Sequence, residues 1–460
     1  MRKKLMLLFL ELLLLTVIPL GVKAAPADMP TSVGVLTLTE AINTALANNQ
    51  SILQAKLSVD FASARYQEAQ NAFNPQLAIS ETTGRQYVES NQTKAYNFSS
   101  NKWQTVSTNE KLQNSYGTKL SLQLPLYSGQ RLEANREQAA QNIEQSKANT
   151  LKTRQNLILD TTTAYFTLLQ SYNSLDLARQ SFEQMQAHLK NASLNYENGI
   201  VAKSDVLRAE VELAAAEQSL AKAENNVQLA RTSLCNVMGV DLNTSFTVSN
   251  ILSATYQLEE LDRYLGIARQ NRPELKAMSA QISGAKAAIT TAQSGNLPTV
   301  NLTGAYEWNG DSKSNPFPPG YTSWSIMISA NWNAFDGGIT SSRVTQAQKN
   351  LNISQSQERQ LMDNILLEVT QAYFNVQDAA KRLSTARKAA AKADDDFRIS
   401  QLRYKSGLST NVEVLDSHVA FLNAKNSLIQ TQFDYHTSYA KLLKAAGTLD
   451  SSERIKGYEQ

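Results

Sequence analysis

The chain is two copies of one unit. From about Gln123 to Gly239 the sequence matches its own second half at a constant offset of 208 residues. Tyr127-Ser128-Gly129 answers Phe335-Asp336-Gly337, and Ala164-Tyr165-Phe166 answers Ala372-Tyr373-Phe374. Further on, Tyr196 and Gly199 answer Tyr404 and Gly407, Asp205-Val206-Leu207 answers Glu413-Val414-Leu415, and Met238-Gly239 answers Ala446-Gly447. Upstream the offset becomes 223, pairing Asn48 with Asn271 and Asn74-Pro75 with Leu297-Pro298. The difference of 15 residues is an insertion in the first copy between Pro75 and Gln123. Its polar stretch from Glu81 to Ser115 reads as a long exposed loop. A duplicated unit requires that an element assigned in one copy recur in the other.

Glycine and proline are missing from Gln130 to Asn198, Ile200 to Met238, Ile339 to Ser406 and Leu408 to Ala446. These stretches are rich in Ala, Gln, Glu, Leu and Lys, which favour helix. At 1.5 Å per residue the longer ones reach roughly 100 Å, more than a globular domain. Apolar and small residues recur in them at alternating spacings of four and three: Ala164, Leu168, Ser171, Leu175, Ala178, Phe182, Met185, Leu189, Ala192, Tyr196. The second copy gives Ala372, Val376, Ala379, Leu383, Ala386, Ala390, Ala393, Phe397, Ser400, Tyr404. The return segments carry the same period, from Val206 through Ala209, Leu213 and Ala216 to Val237, and from Val414 through Ser417 and Phe421 to Ala445. A sustained seven-residue period holds a straight seam only if the helices supercoil. Each copy therefore predicts an antiparallel coiled-coil hairpin.

Short alternating segments precede each hairpin. Leu77 and Ile79 begin one strand, and Leu120, Leu122, Leu124 and Leu126 form a second, interleaved with Lys119, Ser121 and Gln123. In the second copy Val300, Leu302, Tyr306 and Trp308 share a face, as do Ile326, Ile328, Ala330 and Trp332. Period-two alternation with one polar face is the pattern of a membrane barrel strand, and equally of a sheet packed on helices. Trp308, Trp324 and Trp332 suit a bilayer interface.

The N-terminus reads as an export signal. Arg2, Lys3 and Lys4 precede an apolar run from Leu5 to Leu20, interrupted by Glu11, with small residues at Ala24 or at Ala27 for cleavage. Loss of residues 1–24 removes four basic residues and one acidic one, taking the formal charge from +3 to about zero. A neutral chain without a basic stripe is a poor partner for nucleic acid. Cys235 is the only cysteine, so no intramolecular disulfide forms and no lipid acceptor lies near the cleavage site.

The order of these parts resembles the TolC family of outer-membrane efflux proteins. It comprises an export signal, Leu38-Thr39-Glu40-Ala41 opening a helix behind the Thr37/Glu40 capping-box pair, two strands and a long hairpin, all then repeated. The tip segments Tyr196-Glu197-Asn198-Gly199-Ile200-Val201 and Tyr404-Lys405-Ser406-Gly407-Leu408-Ser409 are its most specific marks. The resemblance spans about residues 36 to 448. It divides the chain into a signal peptide (1–24), a first repeat (36–239), a second repeat (261–448) and a C-terminal tail (449–460).

The resemblance implies a mixed α and β membrane protein: a homotrimer sharing one twelve-stranded β-barrel, four strands per chain, continued by a periplasmic α-helical barrel. The implied function is an outer-membrane channel of a tripartite efflux or type I secretion system. It would passively pass substrates from an inner-membrane pump, of the RND or ABC type, through a periplasmic adaptor (membrane fusion) protein. Barrel insertion into outer-membrane lipid would hold it in place. The tips Gly199, Ile200, Val201 and Gly407, Leu408, Ser409 would dock the adaptor. Glu413 and Asp416 match an acidic pair that rings the periplasmic constriction, whose other reading is a solvated, dipole-complementing helix start. Asp205 and Tyr404 match a hydrogen-bonded gate latch. Ser409 stands where the family's latch arginine is found, and Arg208, equivalent to Asp416 in the first copy, offers a cross-helix ion pair instead.

Against an enzyme, His188, His418 and His436 stand apart in helical segments without metal-ligand spacing, and no glycine-rich phosphate loop occurs. No catalytic residue, metal or cofactor is expected. The remaining alternative is an exported trimeric coiled-coil structural protein or adhesin, which accounts for the heptads but not for the paired strands.

Overall fold

Two hairpins of very long helices spring from one four-stranded sheet. The computed structural model describes residues 34–89, 91–108, 111–249, 256–310 and 322–449. The expected export signal and all but the first residue of the expected tail lie outside the described residues.

The first copy runs β1 (Val35–Leu36), α1 (Leu38–Asn48), α2 (Gln50–Asn71), β2 (Gln76–Val88), β3 (Asn91–Asn97), β4 (Lys102–Thr108), β5 (Lys111–Tyr127), α3 (Arg131–Glu197), α4 (Lys203–Met238) and β6 (Thr247–Val248). The second runs α5 (Leu261–Asn271), α6 (Pro273–Gln293), β7 (Thr299–Gly310), β8 (Thr322–Asn331), α7 (Ile339–Lys405) and α8 (Asn411–Ala445). Thr37 and Glu40 form the expected capping box on α1. The window from Glu81 to Ser115 is not a loop. β2 and β5 stay paired from Gln76↔Gln123 to Val88↔Lys111, and β3 and β4 form a separate hairpin between them. Polar residues on both faces erase the alternation that marks a half-buried strand, while backbone pairing needs no apolar face.

Strand register sorts the sheet into two unlike faces. Across the antiparallel order β2-β5-β7-β8, Ile79 lies opposite Leu120, Leu120 opposite Tyr306, and Tyr306 opposite Trp324. One pair along, Leu77, Leu122, Gly304 and Ile326 align in the same way, and Leu124, Leu302 and Ile328 follow. Residues opposite one another in register share a face, so one face is a continuous apolar band. In the single chain Ile79 is 73% exposed and Ile326 is 71% exposed. Among the described elements the sheet packs substantially only on its own strands. The other face carries Ser121, Gln123, Thr303, Ser323 and Ser325, with an ion pair from Lys119 to Glu307 at 2.8 Å. A sheet with one bare apolar face and one polar face fits a barrel with lipid outside and water inside.

A sharp turn joins sheet to helix in both copies. Gly129 and Gln130 have φ of 63° and 66°, and Gly337 and Gly338 have 67° and 90°. The duplicated pair of left-handed residues reverses the chain from strand into helix. The side chain just before it caps the helix: Ser128 Oγ accepts from Leu132 N at 3.1 Å, and Asp336 Oδ2 from Thr340 N at 2.7 Å.

The expected seam is largely buried on α4, α7 and α8, whereas on α3 only Leu168, Met185 and Ala192 of it are buried and Tyr196 is exposed. On α7, Ala372, Val376, Ala379, Leu383, Ala386, Ala390, Phe397, Ser400 and Tyr404 are all buried, and on α8 so are Val414, Ser417, Phe421, Thr431, Tyr435, Leu442 and Ala445. On α3 a second stripe is also buried: Leu177, Ser181, His188. A helix in a one-layer wall has a neighbour on each flank, and this second stripe faces α8 of the other hairpin. Cys235 lies fully buried in the core between the copies. The far ends of the hairpins close back on the short helices, where a Cβ at Gly239 would lie 2.9 Å from Asn48 O and one at Gly447 3.0 Å from Arg272 N.

The two faces of the sheet predict unequal tolerance. Ile326→Arg places a charge on the apolar band and should cost about 2–4 kcal/mol where the bilayer midplane meets it. Ser325→Arg, one residue along, should leave assembly nearly unchanged. The yield of folded protein inserted into lipid vesicles compares them, and equal yields would refute the assignment of faces.

Candidate functional site at the hairpin tips

Both helical hairpins end in the same turn. Ile200 N donates to Asn195 O at 2.8 Å and Gly199 N to Tyr196 O at 2.9 Å; Leu408 N donates to Arg403 O at 2.8 Å and Gly407 N to Tyr404 O at 3.0 Å. This double bond pattern is a Schellman cap, and it needs a left-handed residue. Gly199 and Gly407 supply it, each with φ of 71° and open space around a would-be Cβ. The residue after each glycine usually packs back on its helix. Here Ile200 is 66% exposed and Leu408 is 71% exposed, so both tips present an aliphatic side chain on a rigid turn.

The second tip leads straight into α8. Thr410 Oγ1 accepts from Glu413 N at 3.3 Å and so caps the helix. Ser409 Oγ donates to Glu413 Oε2 at 2.6 Å, and Arg403 Nη1 stands 3.5 Å from Glu413 Oε1 while Nη2 donates to Leu408 O at 3.3 Å. The Ser409 hydroxyl, then the capped backbone and Arg403, hold the Glu413 carboxyl below the usual carboxylate range. Ser409 is thus tied to Glu413 as a hydroxyl donor, and the arginine that meets Glu413 comes from the last turn of α7. Asp416 is exposed one turn on, with Arg208, Leu207, Val211 and Val412 around the same shallow depression. Among the described residues no ion pair joins Arg208 to Asp416, so the cross-helix substitute is not formed in the single chain.

The expected hydrogen bond between Asp205 and Tyr404 is also not formed. The Tyr404 hydroxyl is buried without a hydrogen-bond partner. Burial pushes its pKa up against the opposing Asn195 side chain, and the Asp205 charge adds to the rise. At Asp205 it is the backbone carbonyl that is engaged, accepting from Asn411 Nδ2 at 3.1 Å. Asn411 Oδ1 lies 2.6 Å from His188 Nε2, and the His188 ring rests on the Tyr404 ring with centroids 5.2 Å apart. Sequence reasoning set the histidines apart, but the fold brings His188 and His418 onto one flank of the wall. The missed signal was their spacing: 188 and 411, like 181 and 418, add to the same sum, as partners do across an antiparallel pair.

The family model described as "Outer membrane efflux protein" matches residues 41–240 and 264–448. The chain belongs to that family. It is 24% identical over 442 residues to outer membrane protein TolC of Vibrio cholerae, covering 95% of this chain and 96% of that one. It is 22% identical to the alkaline protease secretion protein AprF of Pseudomonas aeruginosa, over 74% of this chain and 71% of the other. A crystal structure of CusC superimposes with a TM-score of 0.76 at 18% identity, covering 89% of this chain and 92% of that one. Membership makes this chain an outer-membrane channel for efflux or secretion, its barrel in the membrane and its long helices in the periplasm.

The cap and its carboxylate are separable. Thr410→Ala removes the helix cap and should cost about 1 kcal/mol, read as a lower thermal midpoint. Ser409→Ala leaves the cap in place and should raise the Glu413 pKa toward the ordinary glutamate value, read by infrared titration of that carboxyl. An unmoved Glu413 would show that the hydroxyl contact is not formed in solution.

Proposed function

We propose that three copies of the chain form one passive conduit that carries cargo from an inner-membrane pump, across the periplasm and outer membrane, to the exterior. The observation that carries this reading is the sheet: four strands with a bare apolar band cannot close alone, whereas three such sheets make a twelve-stranded barrel with lipid outside. The 67-residue helices α3 and α7 reach roughly 100 Å from it. The exposed aliphatic turns at Gly199-Ile200-Val201 and Gly407-Leu408-Ser409 are what a periplasmic adaptor would grip, and selectivity for cargo belongs to the pump that the adaptor joins.

The gate lies next to those turns. Three copies of Glu413 and Asp416 would put six carboxylates at the periplasmic mouth, attracting cations and repelling anions in transit. Within the ring the two acids are unequal. Glu413 already meets Ser409 and Arg403, so Asp416 carries more of the free charge. Asp205 and Tyr404, on the facing helices, are where the closed and open states would differ.

Single-channel conductance of the purified protein in planar bilayers tests this. A small, cation-selective conductance is expected, with selectivity weakened more by Asp416→Ala than by Glu413→Ala and lost in the double variant. Unchanged selectivity in the double variant would sink the ring and leave the conduit standing. A protein that inserts but never conducts would return the coiled-coil structural reading.

A further inference from the structure

The seam between the two hairpins carries buried imidazoles as well as apolar packing. Inside α7 and α8 the buried residues are mostly Ala, Val, Leu, Phe and Tyr. Where α3 meets α8, apolar packing of Phe166 on His436 and of Leu177 in one cluster with Phe421 is joined by polar contacts: Gln170 Nε2 to Gln430 Oε1 at 2.6 Å, Ser181 Oγ with His418 Nε2 at 3.2 Å, and His188 Nε2 with Asn411 Oδ1 at 2.6 Å. Ser181, His188, Asn411 and His418 are all more than nine-tenths buried. The two histidine rungs lie one heptad apart on each helix. From the lower rung the bonds continue through Asn411 Nδ2 to the Asp205 carbonyl in the first turn of α4. Since the Asn411 amide nitrogen is spent on that carbonyl, its oxygen faces His188, which donates from Nε2. One relay therefore ties α3, α8 and α4, with the Tyr404 ring of α7 tilted against His188, at the level where the expected latch was not formed.

We propose that His188 and His418 are the fastener of the gate, and that proton uptake by these two side chains parts the hairpins at the tips and widens the periplasmic mouth. The proposal rests on the reading of the chain as a gated channel.

The surroundings favour neutral rings while the seam is shut. Around His188 stand Tyr404 and Lys405 of α7, Glu183 of α3 itself, the Asp205 turn of α4, and His418 of α8. Around His418 stand Ser181 of α3, Phe397 of α7, Phe421 of α8, and Glu212 and Lys222 of α4 along the adjoining cleft. Among the described residues no carboxylate forms an ion pair with either ring. Burial pushes the His188 imidazole below its ordinary value, with the Asn411 bond opposing. Burial, then the nearness of His188, pushes His418 from 6.5 to about 4.

A parted seam exposes the rings and restores a value near 6.5, so between 6.5 and about 4 the parted form binds more protons than the shut one. Acidification through that window therefore favours parting. Below it both forms are protonated and the drive levels off.

The test compares wild type with His188→Gln/His418→Gln in planar bilayers between about pH 7.5 and pH 5. Glutamine carries an amide nitrogen near the position of Nε2, keeping a donor without the titrating site. The wild-type ratio of open to closed dwell times should rise on the order of tenfold on acidification, and the double variant should keep only the small response of its carboxylates and of His436. Spin labels at Asn198→Cys and Ser406→Cys, with Cys235 buried, should move apart over the same range only when the histidines are present. If the double variant does not assemble, His418→Gln alone is compared and should lose most of the response. Equal pH responses in both proteins, or a wild type whose dwell times and label distance ignore pH, would overturn the proposal. Failure of the channel reading looks different: no conductance at any pH, with the label distances still deciding whether the tips part.

Discussion

Everything in this molecule depends on a narrow apolar seam kept in step over helices of 67 residues. Only the middle of such a helix lies on a core, where Tyr165 and Phe166 of α3 meet α1 and α4 and Ile365 and Val369 of α7 meet α5. Toward the tips its burial comes from its flanks, where small residues such as Ala386 and Ala390 let the partner backbone come close and Leu383, Phe397 and Tyr404 fill the gaps. A drift of the pattern off the seven-residue period would turn those side chains into water within a few turns. The seam also fixes where the functional groups stand. It decides that Glu413 and Asp416 are exposed while Val414 and Ser417 are buried, and so separates the proposed pore chemistry from the packing.

The parts legible in the sequence are those that a period alone specifies. The α7 seam could be named nearly residue by residue, because a helix buried along one partner repeats its apolar positions at a fixed angle. The apolar faces of β7 and β8 were legible for the same reason, with a period of two. What stayed hidden depends on a second neighbour or on no neighbour. The stripe Leu177, Ser181, His188 packs against the other hairpin, and two of its three members are polar, so no hydrophobic count reveals it. The strands between Glu81 and Ser115 are polar on both sides and left no alternation to read. At the tips, sequence matching placed Tyr404 beside Asp205 but could not say that Asn411 would occupy the Asp205 carbonyl, or that Arg403 would reach Glu413 from the preceding turn.

The contrast between apolar and polar seams also sorts the contacts by what they can tolerate. A packed aliphatic seam resists sliding, because a displacement of one residue leaves voids that cost stability. A hydrogen-bonded seam of hydroxyls, amides and imidazoles can exchange its partners for water at modest cost. Near the tips, the two histidine rungs are therefore where the hairpins would part most cheaply.

The two long helices have the same length and start from the same strand-to-helix turn, so both tips finish at one level. That equality is a constraint on inheritance as much as on shape. Deletion of a single heptad from one copy would withdraw its turn by about 10 Å, leaving a crenellated rim instead of a flat one. Changes of length in such a duplicated chain are therefore tolerated only in pairs, and the two halves, however far their side chains diverge, remain each other's ruler.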